Sequence, residues 1–261
     1  MFDYHMHSTV SFDGHDKPQE MIRAAAAAGL KEICFTDHID HEIGKVETMV
    51  FDFDDYNASY SGLEIPEGMK VRFGVEYGLK PYNMEEFQQD LRRRPFDFVI
   101  GSIHLVDEID VYYKEYWDGK TQEEAERRYF ETMLESVRAH DAFDVLGHLT
   151  FISKARANPT HRLIPISEHR ELIDEILKIL VVKGKGMEIN TSGVDRCGDY
   201  LPGVEYLRRF KELGGEIVTV GSDAHTADRV GQYSGEACAI LKDIFGYVCT
   251  FENRKPIFHK L

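Results

Sequence analysis

The residues that could do chemistry in this chain are histidines and carboxylates, and their spacing says what kind. His5 and His7 stand two apart in Tyr4-His5-Met6-His7-Ser8. In an extended segment alternate side chains share a face, so both imidazoles can reach one ion. His38 closes Thr36-Asp37-His38, and Glu76 sits in Gly74-Val75-Glu76-Tyr77. His104 follows Gly101-Ser102-Ile103, His148 follows Gly147, and Asp223 and His225 lie in Gly221-Ser222-Asp223-Ala224-His225. Each piece alone has an ordinary explanation. A single histidine is usually packed or hydrogen-bonded, and Ser-Asp is a good helix cap.

The elements that must position these residues change that weighting. Residues 2–7, 32–36, 70–77, 96–104, 143–148, 186–190 and 216–221 read as strands. Residues 19–28, 84–93, 121–140, 167–182, 203–213 and 228–245 read as helices. Pro18 opens the first helix and Gly29 stops it. Thr121-Gln122-Glu123-Glu124 is a capping box, Ser167 starts the next helix, and Gly214-Gly215 closes another. Residues 39–69 are acidic and irregular, a long loop over the strand ends with room for short helices, and 247–258 is a terminal extended segment. Strands alternating with helices imply a parallel sheet covered by helices, either closed into a barrel or open and doubly wound. On this plan six of the chain's twelve histidines, with Glu76 and Asp223, fall at carboxyl ends of strands. That edge is where barrels and open α/β sheets build their sites. Gathering so many titratable groups without a metal is costly, so the conjunction predicts bound divalent cations. Mixed nitrogen and oxygen ligands suit Zn²⁺, Fe²⁺ or Mn²⁺ and not a soft copper site.

Composition narrows the partners. The formal charge is −15, from 46 acidic and 31 basic side chains, which opposes binding of long nucleic acids. Hydrophobic residues make up 43% of 261, enough for a sizeable core, and residues 1–261 are expected to form one domain. No apolar run is long enough for a membrane span, and Met1-Phe2-Asp3-Tyr4-His5 has no basic or apolar leader, so the expected compartment is the cytoplasm. Cys34, Cys197, Cys238 and Cys249 lack a ligand spacing and read as reduced thiols.

The combined pattern of His5-Met6-His7-Ser8, Thr36-Asp37-His38, Glu76, Ser102-Ile103-His104, Gly147-His148 and Gly221-Ser222-Asp223-Ala224-His225 resembles the polymerase-and-histidinol-phosphatase (PHP) superfamily. Asp3-Tyr4-His5, the acidic insertion after His38, and Glu188-Ile189-Asn190-Thr191-Ser192-Gly193 resemble its histidinol-phosphatase branch most. The resemblance implies a distorted (β/α)7 barrel with a trinuclear metal centre. It implies that His5, His7, Glu76 and Asp223 hold one ion, and that Glu76, His104 and His148 hold a second. Asp13, His38 and His225 would hold a third, with His15 as the alternative to Asp13. Glu76 and Asp223, with Arg196 and Arg156, are then the residues expected to carry catalysis. Arg156, Arg196 and Lys154 are expected to bind the substrate phosphate, arginine being better suited to bidentate contact.

The implied reaction is hydrolysis of a small phosphate monoester, L-histidinol phosphate, with an acidic wall receiving the cationic alcohol. Two other functions remain open on the residues alone: a nucleotide or oligonucleotide phosphoesterase, and a non-catalytic metal-binding regulator. The aromatic residues of 112–117 either pack in the core or a loop, the favoured reading, or wall the pocket. His41, His140, His161, His169 and His259 receive no role. Oligomeric state is not legible.

Overall fold

The computed structural model describes residues 1–41 and 49–261. Its strand order follows the chain. Strands β1 (Phe2–Asp3), β2 (Glu32–Phe35), β3 (Lys70–Gly78), β4 (Phe98–Ser102), β5 (Val145–Leu146), β6 (Gly186–Asn190) and β7 (Val218–Gly221) lie side by side and parallel. The two ends of this row then meet. Tyr4 N donates to Val220 O, Asp223 N to His5 O, and His7 N to Ala224 O, each at 2.8 Å. These bonds decide what periodicity could not: the sheet is nearly closed into a distorted (β/α)7 barrel.

A helix follows each strand: α1 (Pro18–Ala27), α2 (Phe53–Ser59), α3 (Met84–Arg93), α4 (Gln122–Ala139), α5 (Arg170–Val182), α6 (Val204–Glu212) and α7 (Ser234–Ile244). Their apolar stripes face the strands. In α5, Ile173, Ile176, Leu177 and Leu180 are buried at helical spacing. In α4, Tyr129, Phe130, Met133 and Val137 do the same, each such side chain contributing roughly 1.5–3 kcal/mol. The capping box of α4 is formed: Thr121 N donates to Glu124 Oε2 at 2.8 Å, and Glu124 N to Thr121 Oγ1 at 3.2 Å.

The amino-terminal end of the barrel is plugged. The terminal segment folds as a hairpin of Tyr247–Glu252 with Lys255–Lys260. Its Cys249 and Phe251 pack with Tyr4, Cys34, Phe98, Ile100 and Val145 in a separate apolar cluster. Tyr4 donates to Glu32 Oε1 at 2.6 Å, and Arg72 joins Glu32 at 3.1 Å to Glu252 at 2.9 Å. Every cysteine is unpaired. Among the described residues no helix is long and apolar enough to cross a membrane.

Several expected boundaries move. The extended run 2–7 pairs as a strand only at Phe2–Asp3; from Tyr4 onward its backbone bonds are divided between Thr36 and the far edge of the sheet. The segment 39–69 is more ordered than its composition implied. His38–Asp40 is a short strand beside β3, and Asp52 caps α2 by accepting from Asp54 N and Asp55 N at 2.8 and 3.0 Å. The part of that loop at 42–48 lies outside the described residues. Helix α5 starts at Arg170 and not at Ser167, since Glu168 and His169 are turned toward Arg162 and Glu126. Helix α7 starts at Ser234, after a 3-10 turn at Ala227–Arg229 and Tyr233 at φ +57°.

Candidate metal centre

The open, carboxyl-terminal end of the barrel gathers the histidines. Two close approaches make room for them. A Cβ at Gly221 would meet Glu188 Oε1 at 2.1 Å and His5 Cβ at 2.3 Å; one at Gly78 would meet Asp40 Oδ1 at 1.9 Å. Only glycine lets these strands pass so near the site.

Glu76, fully buried at the end of β3, is the hub. Its Oε1 lies 2.8 Å from His148 Nε2 and 3.3 Å from His104 Nε2. Its Oε2 lies 3.1 Å from His5 Nε2, 3.4 Å from His7 Nε2 and 3.2 Å from His38 Nδ1. Asp223, held at φ +56°, brings Oδ1 to 3.3 Å from His7 Nε2 and 3.7 Å from His5 Nε2. His225 Nε2 stands 3.2 Å from Asp13 Oδ2, and His38 Nε2 3.7 Å from the same atom. Thus the nine residues His5, His7, Asp13, His38, Glu76, His104, His148, Asp223 and His225 are brought together. His15 is not in the cluster; it lines the cavity and meets His225 only through its backbone N–H, at 2.9 Å.

Outer contacts fix these side chains. Glu188 Oε1 sits 2.7 Å from His5 Nδ1, and Oε2 accepts from His148 N at 2.8 Å, so His5 aims Nε2 inward. Asp37 is spent on the loop after His7, accepting from Ser8 N at 2.8 Å, Ser11 Oγ at 3.0 Å and Tyr60. Asp3 accepts from Ser222 N at 2.8 Å and Ser222 Oγ at 2.5 Å, which sets the loop carrying Asp223.

Sequence reasoning missed Asp40. Its buried carboxylate lies 3.0 Å from His104 Nδ1 and 3.2 Å from His38 Nδ1. The signal was present: His38-Ile39-Asp40 repeats the x-spacing of His5-Met6-His7, but reading residue 39 as the start of a loop hid the shared face. Glu188 was noticed as part of a motif without a role.

The electrostatics are those of a site built for cations. Burial disfavours every charge here, yet the surrounding imidazoles hold Glu76 far below the usual carboxylate range, and Lys154 and His5 do the same for Asp223. Burial pulls His38 down, but Glu76, Asp40 and Asp13 win and push it to about 9. His7 goes the other way, to about 3, through burial and the imidazoles of His38 and His225 stacked at 4.2 and 4.3 Å. Metal ligation takes the neutral imidazole, so a bound cation would displace the proton that these carboxylates hold on His38. His5 Nε2, His7 Nε2, His38 Nδ1, Glu76 Oε2 and Asp13 Oδ1 are buried without a properly directed hydrogen bond. Burying such atoms unsatisfied costs about 1–3 kcal/mol each, and ions at their meeting point would satisfy them. The donor set therefore fits divalent metals.

Above the cluster opens a cavity of about 840 Å³. Lys154 reaches it from the 3-10 turn Phe151–Lys154, its Nζ 2.5 Å from Asp223 Oδ2 and 2.7 Å from Ser192 Oγ. Arg196 lines it, donating to Tyr112 Oη at 2.8 Å and Lys154 O at 3.0 Å. Arg156 is exposed just after buried Ala155, with its charge acting on Tyr113 of the cavity wall. Arg229 lines the cavity without having been foreseen, already paired with Asp195. Of the aromatic run, Tyr112 and Tyr113 wall the cavity, while Tyr116 and Trp117 are buried in the core.

With that geometry in hand, known proteins are informative. Residues 3–192 match the PHP domain. The histidinol-phosphatase of Lactococcus lactis is 34% identical over 97% of this chain and 95% of its own length. The probable histidinol-phosphatase of Clostridium acetobutylicum is 32% identical over 99% of this chain and 96% of its own. A crystal structure of histidinol phosphate phosphatase from Lactococcus lactis, complexed with zinc, L-histidinol and phosphate, superposes with a TM-score of 0.84 and 31% identity, covering 98% of both chains. The chain belongs to the PHP domain family.

Proposed function

We propose that this protein is a metal-dependent phosphatase that hydrolyses L-histidinol phosphate to L-histidinol and phosphate. The observation that carries the reading is the set of buried, undirected imidazole and carboxylate atoms at the floor of a cavity with cations at its wall. The relatives that match along their whole length bear names of this activity, and one of them has been seen with zinc, L-histidinol and phosphate.

Three divalent ions, zinc, iron or manganese, would be held by His5, His7, Glu76 and Asp223; by Glu76, His104 and His148; and by Asp13, His38 and His225. When bound, such ions supply Lewis acidity and activate water near neutral pH. The remaining work belongs to the chain. Glu76 reaches five histidines from four segments of the chain and keeps their spacing. Arg196 offers a planar guanidinium free of any carboxylate ion pair among the described residues, suited to phosphate oxygens. Lys154 sits against Asp223 with its ammonium at the cavity, where it can neutralise negative charge developing on phosphoryl oxygens.

A substrate panel tests the reading. L-Histidinol phosphate, nucleoside monophosphates and a short oligonucleotide are assayed with the metal-loaded protein. The expected result is a kcat/KM for L-histidinol phosphate about tenfold or more above the others. Faster cleavage of the oligonucleotide would overturn the substrate and leave the metal centre standing.

A further inference from the structure

Along the wall from Arg196 the cavity presents a carboxylate that the metal cluster does not use. Residue His104 is followed at once by a small antiparallel hairpin, Leu105–Val106 with Ile109–Asp110. Asp107 and Glu108 form its turn in the left-handed region, at φ +51° and +62°. Both turn carboxylates are pinned from neighbouring elements. Arg128 of α4 grips Asp107 with Nη2 at 2.6 Å and Nε at 3.0 Å, and buried Lys80 holds Glu108 at 3.0 Å. The arm is therefore rigid where it delivers Asp110, Tyr112 and Tyr113 to the cavity wall.

Asp110 Oδ1 accepts from Tyr112 N at 2.8 Å, and no ion pair engages its carboxylate among the described residues. Burial pushes its carboxyl above the usual range, and the hydrogen bond from Tyr112 offsets only part of that. At the other end of the same tyrosine, Tyr112 Oη accepts from Arg196. One side chain thus spaces an unpaired anion from an unpaired cation across a single wall. Tyr113 and Phe151 add flat apolar surface beside it, with Phe151 4.8 Å from the ring of His148.

We propose that Asp110 selects the leaving group: its carboxylate receives a protonated nitrogen of the alcohol while Arg196 takes the phosphate. The inference rests on the phosphatase reading above and assigns within it the residue that prefers a cationic alcohol over a neutral one. A neutral phosphate ester would leave Asp110 desolvated without a partner, and that penalty is the discrimination.

The test compares kcat/KM for L-histidinol phosphate with that for p-nitrophenyl phosphate, in the metal-loaded wild type, Asp110→Asn and Asp110→Glu. Asp110→Asn should lower the preference for L-histidinol phosphate about 20-fold, through KM and not kcat, the range set by one lost charge-assisted contact. Asp110→Glu keeps the charge one methylene further out and should retain a preference between the two. Metal content is measured in each variant, since Asp110 is no ligand in this account and should leave it unchanged. A wild-type preference that Asp110→Asn preserves overturns the assignment alone. A wild type with no preference for L-histidinol phosphate overturns the substrate reading and the assignment with it.

Discussion

Among the described residues, two regions of histidine and acid bring three ligand-type atoms within 4.8 Å of one another, and they differ in what balances their charge. The first lies outside the barrel mouth, at Glu126, Glu168 and His169. There Arg162 stands between the carboxylates, Nη2 2.6 Å from Glu168 and 3.1 Å from Glu126, and Gln122 donates to the other oxygen of Glu126 at 2.5 Å. Fully buried Glu126 has every oxygen engaged, and the cluster closes around a guanidinium. The second lies on the barrel floor. No arginine enters it, Lys154 reaches Asp223 alone among its carboxylates, and His5 Nε2, His7 Nε2 and Glu76 Oε2 point at one another unsatisfied. Residue types and distances do not separate the two. The absence of a lysine or arginine against Glu76 does, and it marks the site as one where positive charge brought by bound ions would fit.

This contrast can be broken by substitution. The largest effect should come from Glu76, which no other carboxylate can replace. Glu76→Gln should lower kcat/KM by about a thousandfold or more, with metal lost in parallel by elemental analysis, because it removes a shared negative ligand from a site of imidazoles. Activity and metal content near the wild type would show that the hub is only structural. Asp13→Ala comes next. It should cut activity heavily or strip one ion, while His15→Ala should be mild, since Asp13 and not His15 faces His225 and His38. The reverse order would move the third site to the wrong side of the loop.

Arg196→Ala should lower kcat/KM by about a hundredfold, equally for L-histidinol phosphate and p-nitrophenyl phosphate, because the phosphate is common to both. Metal content should not change. A loss confined to one substrate would place Arg196 on the alcohol and not the phosphate. The smallest effect on catalysis is expected from the other cluster. Arg162→Ala leaves Glu126 buried without its cation and should cost about 2 kcal/mol of stability, less than for a fully buried pair because Arg162 is 35% exposed. Urea denaturation would read this as a lower midpoint at an unchanged slope. Activity and metal content should stay near those of the wild type.

The same contrast explains how much could be read without coordinates. Eight expected ligand positions, His5, His7, His38, Glu76, His104, His148, Asp223 and His225, were legible because they fall near the ends of strands, where alternation and flanking glycines locate them in the sequence; Asp13 came from the family resemblance alone. The alternation of strands and helices was equally plain, but closure was not, since it depends on Tyr4, His5 and His7 bonding across the seam to Val220, Asp223 and Ala224. Asp40 was lost because its strand continues past the point where composition turns acidic. Arg229 was missed because its approach to the cavity is set by Asp195, a contact between a short helix and a 3-10 turn 34 residues apart.

The central claim is that the barrel floor takes its missing positive charge from metal ions. Elemental analysis of the purified protein, before and after exhaustive chelation and paired with phosphatase assays, tests it most directly. The account predicts about three transition ions per chain before chelation, loss of activity as they leave, and recovery with Zn²⁺, Mn²⁺ or Fe²⁺. Full activity in protein holding well under one ion per chain would contradict it.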